Sequence, residues 1–216
     1  TIISPSILGG SFSNMEKTIL ELNQSKAEYI HFDVMDGDFV QNLTFGNQFI
    51  SDLRAHSNKI FDVHLMINRV HKFIDNYIDA GSDIISFHIE IDDNLEKIIS
   101  KIKDNNVKCG IAIKPNTKWD KLKPFLDQID QVIIMTVEPG FGGQVFMNNQ
   151  IDKIKNISNY IKTNNLSVNI EIDGGINYQT GKLCLEAGAN ILVAGSFLFN
   201  QDNLIEATNS LIDKLN

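Results

Sequence analysis

Four side chains in this sequence combine reactive chemistry with a regular spacing. His31 and Asp33 stand two apart in Tyr29-Ile30-His31-Phe32-Asp33-Val34-Met35. His64 lies within Asp62-Val63-His64-Leu65-Met66, and Asp173 closes Glu171-Ile172-Asp173 just before Gly174 and Gly175. These runs read as strands. Two-residue alternation puts His31, Asp33 and Met35 on one face, and His64 and Met66 on one face of the next strand. An imidazole or carboxylate facing a packed interior is costly unless it is paired or bound to a cation. Two imidazoles and two carboxylates suit one divalent metal: Zn²⁺ first, with Fe²⁺, Mn²⁺ and Co²⁺ compatible. A metal-free hydrogen-bonded network is the other reading of the same four residues.

Glycines form a second group. Pro139-Gly140-Phe141-Gly142-Gly143-Gln144, Asp173-Gly174-Gly175-Ile176 and Gly195-Ser196 each fall between an apolar run and a helical pattern. Glycine lets the backbone approach a ligand closely, and the start of the following helix offers free N–H groups to an anion. Tight turns between strand and helix are the alternative for any one of them.

The elements that must hold these residues repeat along the chain. Eight short apolar runs are Ile2–Leu8, Tyr29–Val34, Ile60–Met66, Ile84–His88, Val107–Ile113, Val132–Val137, Val168–Asp173 and Ile191–Ala194. Helical periodicity separates them, over Asn14–Ser25, Lys72–Asp79, Asn94–Lys103, Asp152–Lys162, Tyr178–Ala187 and Leu204–Leu215. Ser13 with Glu16 predicts a capping box for the first helix, and Gly81 marks the stop of the helix before it. The pattern is weaker over Phe45–Ser57 and Trp119–Asp127. Eight βα repeats in 216 residues predict an α/β fold, a single (β/α)₈ TIM barrel spanning residues 1–216. An open doubly wound sheet is the rival, but its G-x-G-x-x-G turn is missing after the first strand, which reads Leu8-Gly9-Gly10-Ser11-Phe12. In a barrel, the polar strand ends and the glycine turns share the catalytic face, and loops after strands seven and eight are the usual phosphate site.

A net charge of −8 argues against a general nucleic-acid binder. No apolar stretch reaches the length of a membrane span, and the apolar start lacks the basic flank and cleavage site of a signal peptide. A cytoplasmic location is the expectation. Cys109 and Cys184 read as small buried residues, and the N-x-[ST] triplets at Asn42, Asn156 and Asn165 as chance matches.

Taken together, Ser4-Pro5-Ser6-Ile7-Leu8, His31-Phe32-Asp33-Val34-Met35-Asp36-Gly37, Asn42-Leu43-Thr44-Phe45-Gly46, Asp62-Val63-His64-Leu65-Met66, Met135-Thr136-Val137-Glu138 with the glycine run to Gln144, Asp173-Gly174-Gly175-Ile176 and Val193-Ala194-Gly195-Ser196 resemble the ribulose-phosphate 3-epimerase family in content, order and spacing. The resemblance implies that His31, Asp33, His64 and Asp173 bind one divalent metal. It makes Asp33 and Asp173 the two acid–base groups in the interconversion of D-ribulose 5-phosphate and D-xylulose 5-phosphate. Ser6 and His64 would touch this sugar phosphate. Gly140, Phe141, Gly142, Gly143, Gly174, Gly175, Gly195 and Ser196 would hold its far end and phosphate. Met35, Met66 and Met135 would line the site, and the chain would form a homo-oligomer. Gln41 and Asp38 depart from the family's usual proline and histidine.

Two neighbouring readings remain at this point: a 3-epimerase for a six-carbon substrate such as D-allulose 6-phosphate, and a non-catalytic sugar-phosphate-binding barrel. A decarboxylase of the Asp-x-Lys-x-x-Asp type is disfavoured because Met35 takes the lysine position. His88 is open between a structural hydrogen bond and an outer partner of the metal. His56 and His71 read as solvated, Met15, Met147 and Trp119 as packing. Lys114 is not expected to form a Schiff base, and Asp36 lies off the inward face.

Overall fold

The computed structural model describes residues 1–216. Its strands are β1 (Ile2–Pro5), β2 (Tyr29–Met35), β3 (Ile60–Met66), β4 (Ile84–His88), β5 (Lys108–Ile113), β6 (Gln131–Met135), β7 (Asn169–Asp173) and β8 (Ile191–Ala194). The helices are α1 (Met15–Gln24), α2 (Asn47–Arg54), α3 (Val70–Asp79), α4 (Leu95–Asp104), α5 (Ile151–Thr163), α6 (Tyr178–Ala187), the single turn α7 (Ser196–Phe199) and α8 (Leu204–Leu215). All strand pairs are parallel, in the order β1-β8-β7-β6-β5-β4-β3-β2. A lone parallel bridge between Ser6 and His31 joins β1 to β2 and closes the ring. The expected (β/α)₈ barrel is therefore the fold.

Most apolar burial lies between sheet and helices, where Phe32, Phe61, Phe87, Ile19, Leu22 and Ile50 are fully covered. Each such side chain contributes roughly 1.5–3 kcal/mol. The barrel interior is different. Tyr29, Ile84 and Ile191 plug its lower end. Above them lies a polar layer of His31, Asp62, Ser86, Gln131 and Glu171, all buried. Gly110 makes room there, since a Cβ would fall 2.1 Å from the Ser86 Oγ. With the outer layer carrying the apolar burial, the interior can hold polar chemistry.

Some expected boundaries shift for local reasons. The first strand ends at Pro5 and not Leu8, because the Ser6 Oγ accepts from the Leu8 N–H and starts a 3₁₀ turn over Ile7–Gly9. The capping box at Ser13 is absent: Ser13 lies within a second 3₁₀ turn and its hydroxyl pairs with that of Ser11 at 2.9 Å. A true capping box forms at α6 between Asn177 and Thr180. The strand expected to reach Val137 ends at Met135. Asn47–Arg54 is helical within the weak Phe45–Ser57 region, whereas Trp119–Asp127 yields only a 3₁₀ turn over Trp119–Leu122. Pro124 follows one residue later, and it cannot donate the helical hydrogen bond.

Candidate active site

The site sits at the C-terminal ends of the strands, as the fold requires. In register, His31 lies beside Asp62, Asp33 beside His64, and Met35 beside Met66. Asp173 lies beside Met135 on one side and Val193 on the other. These pairings bring His31, Asp33, His64 and Asp173 together, one ligand atom from each within 4.8 Å of all the others. The His31 Nε2 is 3.4 Å from the Asp33 Oδ1 and 3.9 Å from the Asp173 Oδ2. The His64 Nδ1 is 3.6 Å from the Asp33 Oδ1 and 3.5 Å from the Asp173 Oδ2.

A cation fits this set. Both of those imidazole nitrogens are buried and have no hydrogen-bond partner, which is costly unless something else meets them. A tetrahedral ion of zinc's size, about 2.0–2.1 Å from each donor, would hold its ligands roughly 3.3 Å apart. The measured separations start at 3.4 Å. The cluster could therefore hold a divalent metal with little movement.

Charge couples the same residues. Burial alone would raise the Asp33 carboxyl, but the His31 and His64 imidazoles outweigh it and hold it well below the usual carboxylate range. Burial would depress His31, yet Asp33 and Asp62 lift it well above an ordinary imidazole. Ser6 donates to the Asp33 Oδ2 at 2.5 Å, which fixes the carboxylate's rotation and leaves the Oδ1 facing the histidines.

Above the cluster opens a cleft of about 380 Å³. Ser6, Asp33, Met35, Met66, Met135, Gly140, Phe141, Gly142, Gly143, Asp173, Gly174, Gly175, Gly195 and Ser196 all line it. His31 and His64 are fully buried and lie outside its lining. Sequence reasoning missed Leu8, Gly9, Val137, Glu138, Pro139, Gln144, Ile176 and Val193 as lining residues. Gly175 has a φ of +65° and a Cβ there would fall 2.7 Å from the Phe146 backbone nitrogen. The turn after β7 thus packs directly on the loop after β6. Asn42 donates to the Gly140 carbonyl at 2.8 Å, tying the loop after β2 to the same glycine run. Gln41 and Asp38 are exposed and outside the cleft lining.

A second polar group lies deeper. The His31 Nδ1 is 2.7 Å from the Asp62 Oδ2, and Gln131 donates to the Asp62 Oδ1 at 3.2 Å and also to Glu171. Burial, with the adjacent Asp62 carboxylate, pushes the Glu171 carboxyl well above its usual range. His88 joins the cluster by hydrogen bonding: its Nε2 meets the His64 Nε2 at 2.9 Å, and its Nδ1 meets the Glu90 Oε2 at 3.1 Å. Asp36 is structural, accepting from the backbone of Asp38, Phe39 and Asn68. Lys114 lies over the Phe39 ring at 3.7 Å. His56 and His71 sit at the surface against Glu16 and Asp93. Trp119 packs on Tyr160, and Met15 is buried in the outer core.

Fold and site together define a (β/α)₈ barrel with a buried two-histidine, two-aspartate cluster under a glycine-lined cleft. The sequence profile described as the Ribulose-phosphate 3 epimerase family matches residues 2–199. The chain belongs to that family. It is 38% identical over 210 residues to the ribulose-phosphate 3-epimerase of Bacillus subtilis, covering 97% of each. It is 36% identical over 212 residues to that of Schizosaccharomyces pombe, covering 97% of this chain and 91% of the relative. It is 40% identical over 205 residues to that of Chlamydia pneumoniae, covering 94% and 90%.

Among solved structures, KGPDC from Streptococcus mutans in complex with D-R5P superposes with a TM-score of 0.73 at 14% identity, covering 99% of this chain and 96% of that one. Orotidine 5'-phosphate decarboxylase from Pyrococcus horikoshii OT3 gives 0.72 at 13% identity, covering 99% of both. At such identities the likeness is one of fold alone. No helix of the chain is long and apolar enough to cross a membrane.

Proposed function

We propose that this chain interconverts D-ribulose 5-phosphate and D-xylulose 5-phosphate by moving the C3 proton from one face of the sugar to the other. The observation that carries the reading is the placement of two carboxylates, Asp33 and Asp173, on separate strands at one cleft floor, bracketing the two unpartnered imidazole nitrogens. Measured the short way round the closed ring, β2 and β7 are three strands apart.

Inverting a carbon next to a carbonyl requires proton removal from one face and return to the other. One carboxylate cannot reach both faces of the planar enediolate, so each aspartate serves one face. Asp33, fixed by Ser6, acts from the β2 side. Asp173 acts from the β7 side. Each is a base in one reaction direction and an acid in the other. His31, Asp33, His64 and Asp173 would hold the divalent metal, which when bound would supply positive charge against the negative charge developing on the C2 and C3 oxygens. Met35, Met66 and Met135 form an apolar wall that keeps stray water from the carbanionic carbon. The backbone N–H groups after β6, β7 and β8 bind the phosphate without a lysine.

Proton NMR of D-ribulose 5-phosphate in D₂O with the purified protein tests this directly. Deuterium at C3 with accumulation of xylulose 5-phosphate is the expected result. No exchange by metal-replete protein sinks the five-carbon reading, and D-allulose 6-phosphate is then the substrate to try.

A further inference from the structure

The two imidazoles of the cluster offer different nitrogens to it. His31 points its Nε2 at Asp33 and Asp173, and His64 points its Nδ1 at the same pair. The remaining nitrogen of each ring is buried in a separate part of the interior, and each has one hydrogen-bond partner, with the Glu171 Oε1 a further 3.5 Å contact of the His31 Nδ1. For the His31 Nδ1 the partner is the Asp62 Oδ2 at 2.7 Å. For the His64 Nε2 it is the His88 Nε2 at 2.9 Å.

We propose that Asp62 and His88 are positioning residues that lock the two ligand imidazoles in opposite tautomers, His31 protonated at Nδ1 and His64 at Nε2, so that each presents a bare nitrogen to one divalent cation. The inference rests on the metal reading of the site given above and extends it to residues outside the ligand set.

The proton placement follows link by link. Asp62 accepts from Gln131 through its Oδ1, and its Oδ2 faces the His31 ring, so a proton on the His31 Nδ1 completes the bond. The Nε2 is then the lone pair. On the other ring, two nitrogens at 2.9 Å cannot both carry a proton. The His88 Nδ1 faces the Glu90 Oε2, and Glu90 already accepts the Lys114 N–H through its Oε1 at 2.9 Å. The His88 proton therefore sits on Nδ1, its Nε2 accepts, and the His64 Nε2 must donate. That leaves the His64 Nδ1 bare.

The lower group of His31, Asp62 and Glu171 is not a second cation pocket in this arrangement. Gln131 directs its amide N–H₂ at both carboxylates, and a donor pointing inward opposes a cation. The two arms also differ in charge. His31 leans on a carboxylate, which makes its free nitrogen the more basic ligand. His64 leans on another imidazole. Loss of the Asp62 arm should thus weaken metal binding more than loss of the His88 arm.

The test uses zinc-loaded protein with ¹⁵N-labelled histidine and long-range ¹H–¹⁵N correlation to read the protonated nitrogen of each ring. The expected result is Nδ1–H on His31 and Nε2–H on His64. Alongside it, Zn²⁺ and Co²⁺ affinities are measured by chelator competition for Asp62→Leu, Asp62→Asn and His88→Leu, with melting of the metal-free proteins as the check on folding. Asp62→Leu should lose about 10–100-fold in affinity. Asp62→Asn, which keeps an acceptor oxygen, should fall between it and the parent, and His88→Leu should lose less than Asp62→Leu. Should Asp62→Leu fail to fold, the tautomer reading and Asp62→Asn decide the matter. A His31 without a proton on Nδ1, or parental affinity in a folded Asp62→Leu, overturns the proposal while leaving the metal reading intact. Failure of the parent protein to take up either metal removes that reading and this proposal together.

Discussion

The His64 and His88 rings stack at 5.0 Å between centroids while their Nε2 atoms meet at 2.9 Å. One buried imidazole is thus the sole hydrogen-bond acceptor for another. Replacing His88 by Leu leaves the buried His64 Nε2–H without its acceptor. We expect a loss of about 1–3 kcal/mol of stability in the metal-free protein, read by urea denaturation. An unchanged midpoint would show that the contact carries no weight.

Asp173→Asn removes one of the two proposed acid–base groups and keeps the side chain's size. Turnover should fall by at least about 10²-fold, while the fold, read by circular dichroism, is kept. With Asp33 intact, C3 exchange from one face should outlast epimerisation. Full activity in this variant would falsify the two-carboxylate mechanism.

Chelation should abolish turnover, since it removes the cation charge that the proposed enediolate needs. Adding back Zn²⁺, Co²⁺ or Mn²⁺ should restore it. Undiminished rates in protein shown to be metal-free by elemental analysis would refute the metal role.

Gly175→Ala combines a positive φ of +65° with a Cβ placed against the Phe146 backbone. The strain costs about 1–3 kcal/mol and pushes the loop after β6 outward. On the proposed reading the displaced loop holds the far end of the substrate, so the KM for the sugar phosphate should rise more than kcat falls. Steady-state kinetics separates the two effects; a change in kcat alone would contradict this placement.

Burial pushes the thiols of Cys109 and Cys184 up to about 12. Neither should react with a disulfide reagent in the folded protein, and both should react on denaturation. Rapid labelling of native protein would show that β5 or α6 opens locally.

Much of the site was legible because a strand's side chains alternate. His31 and Asp33, or His64 and Met66, had to share a face, and the barrel brought those faces together. The same alternation carried one step deeper reaches Asp62 below His64 and Glu171 below Asp173, and along β6 it joins Gln131 to Met135. That signal was present in the sequence, but nothing in it says which strands face each other across the ring. Partner choice was also hidden. His88 becomes the neighbour of His64, and Asp62 that of His31, only once register is known. At the first helix, Ser11 took the Ser13 hydroxyl that the capping pattern had assigned to the backbone.

The ring closes where β1 reaches β2 through the single Ser6–His31 bridge, and there Ser6 also grips Asp33. The seam of the sheet and the floor of the cleft are the same few atoms. A chain whose seam has parted would keep most of its helices and nearly all of its strand pairing, yet lose its alignment of Asp33 with the cluster. Regained activity during refolding is therefore a clock for ring closure, running behind the recovery of secondary structure.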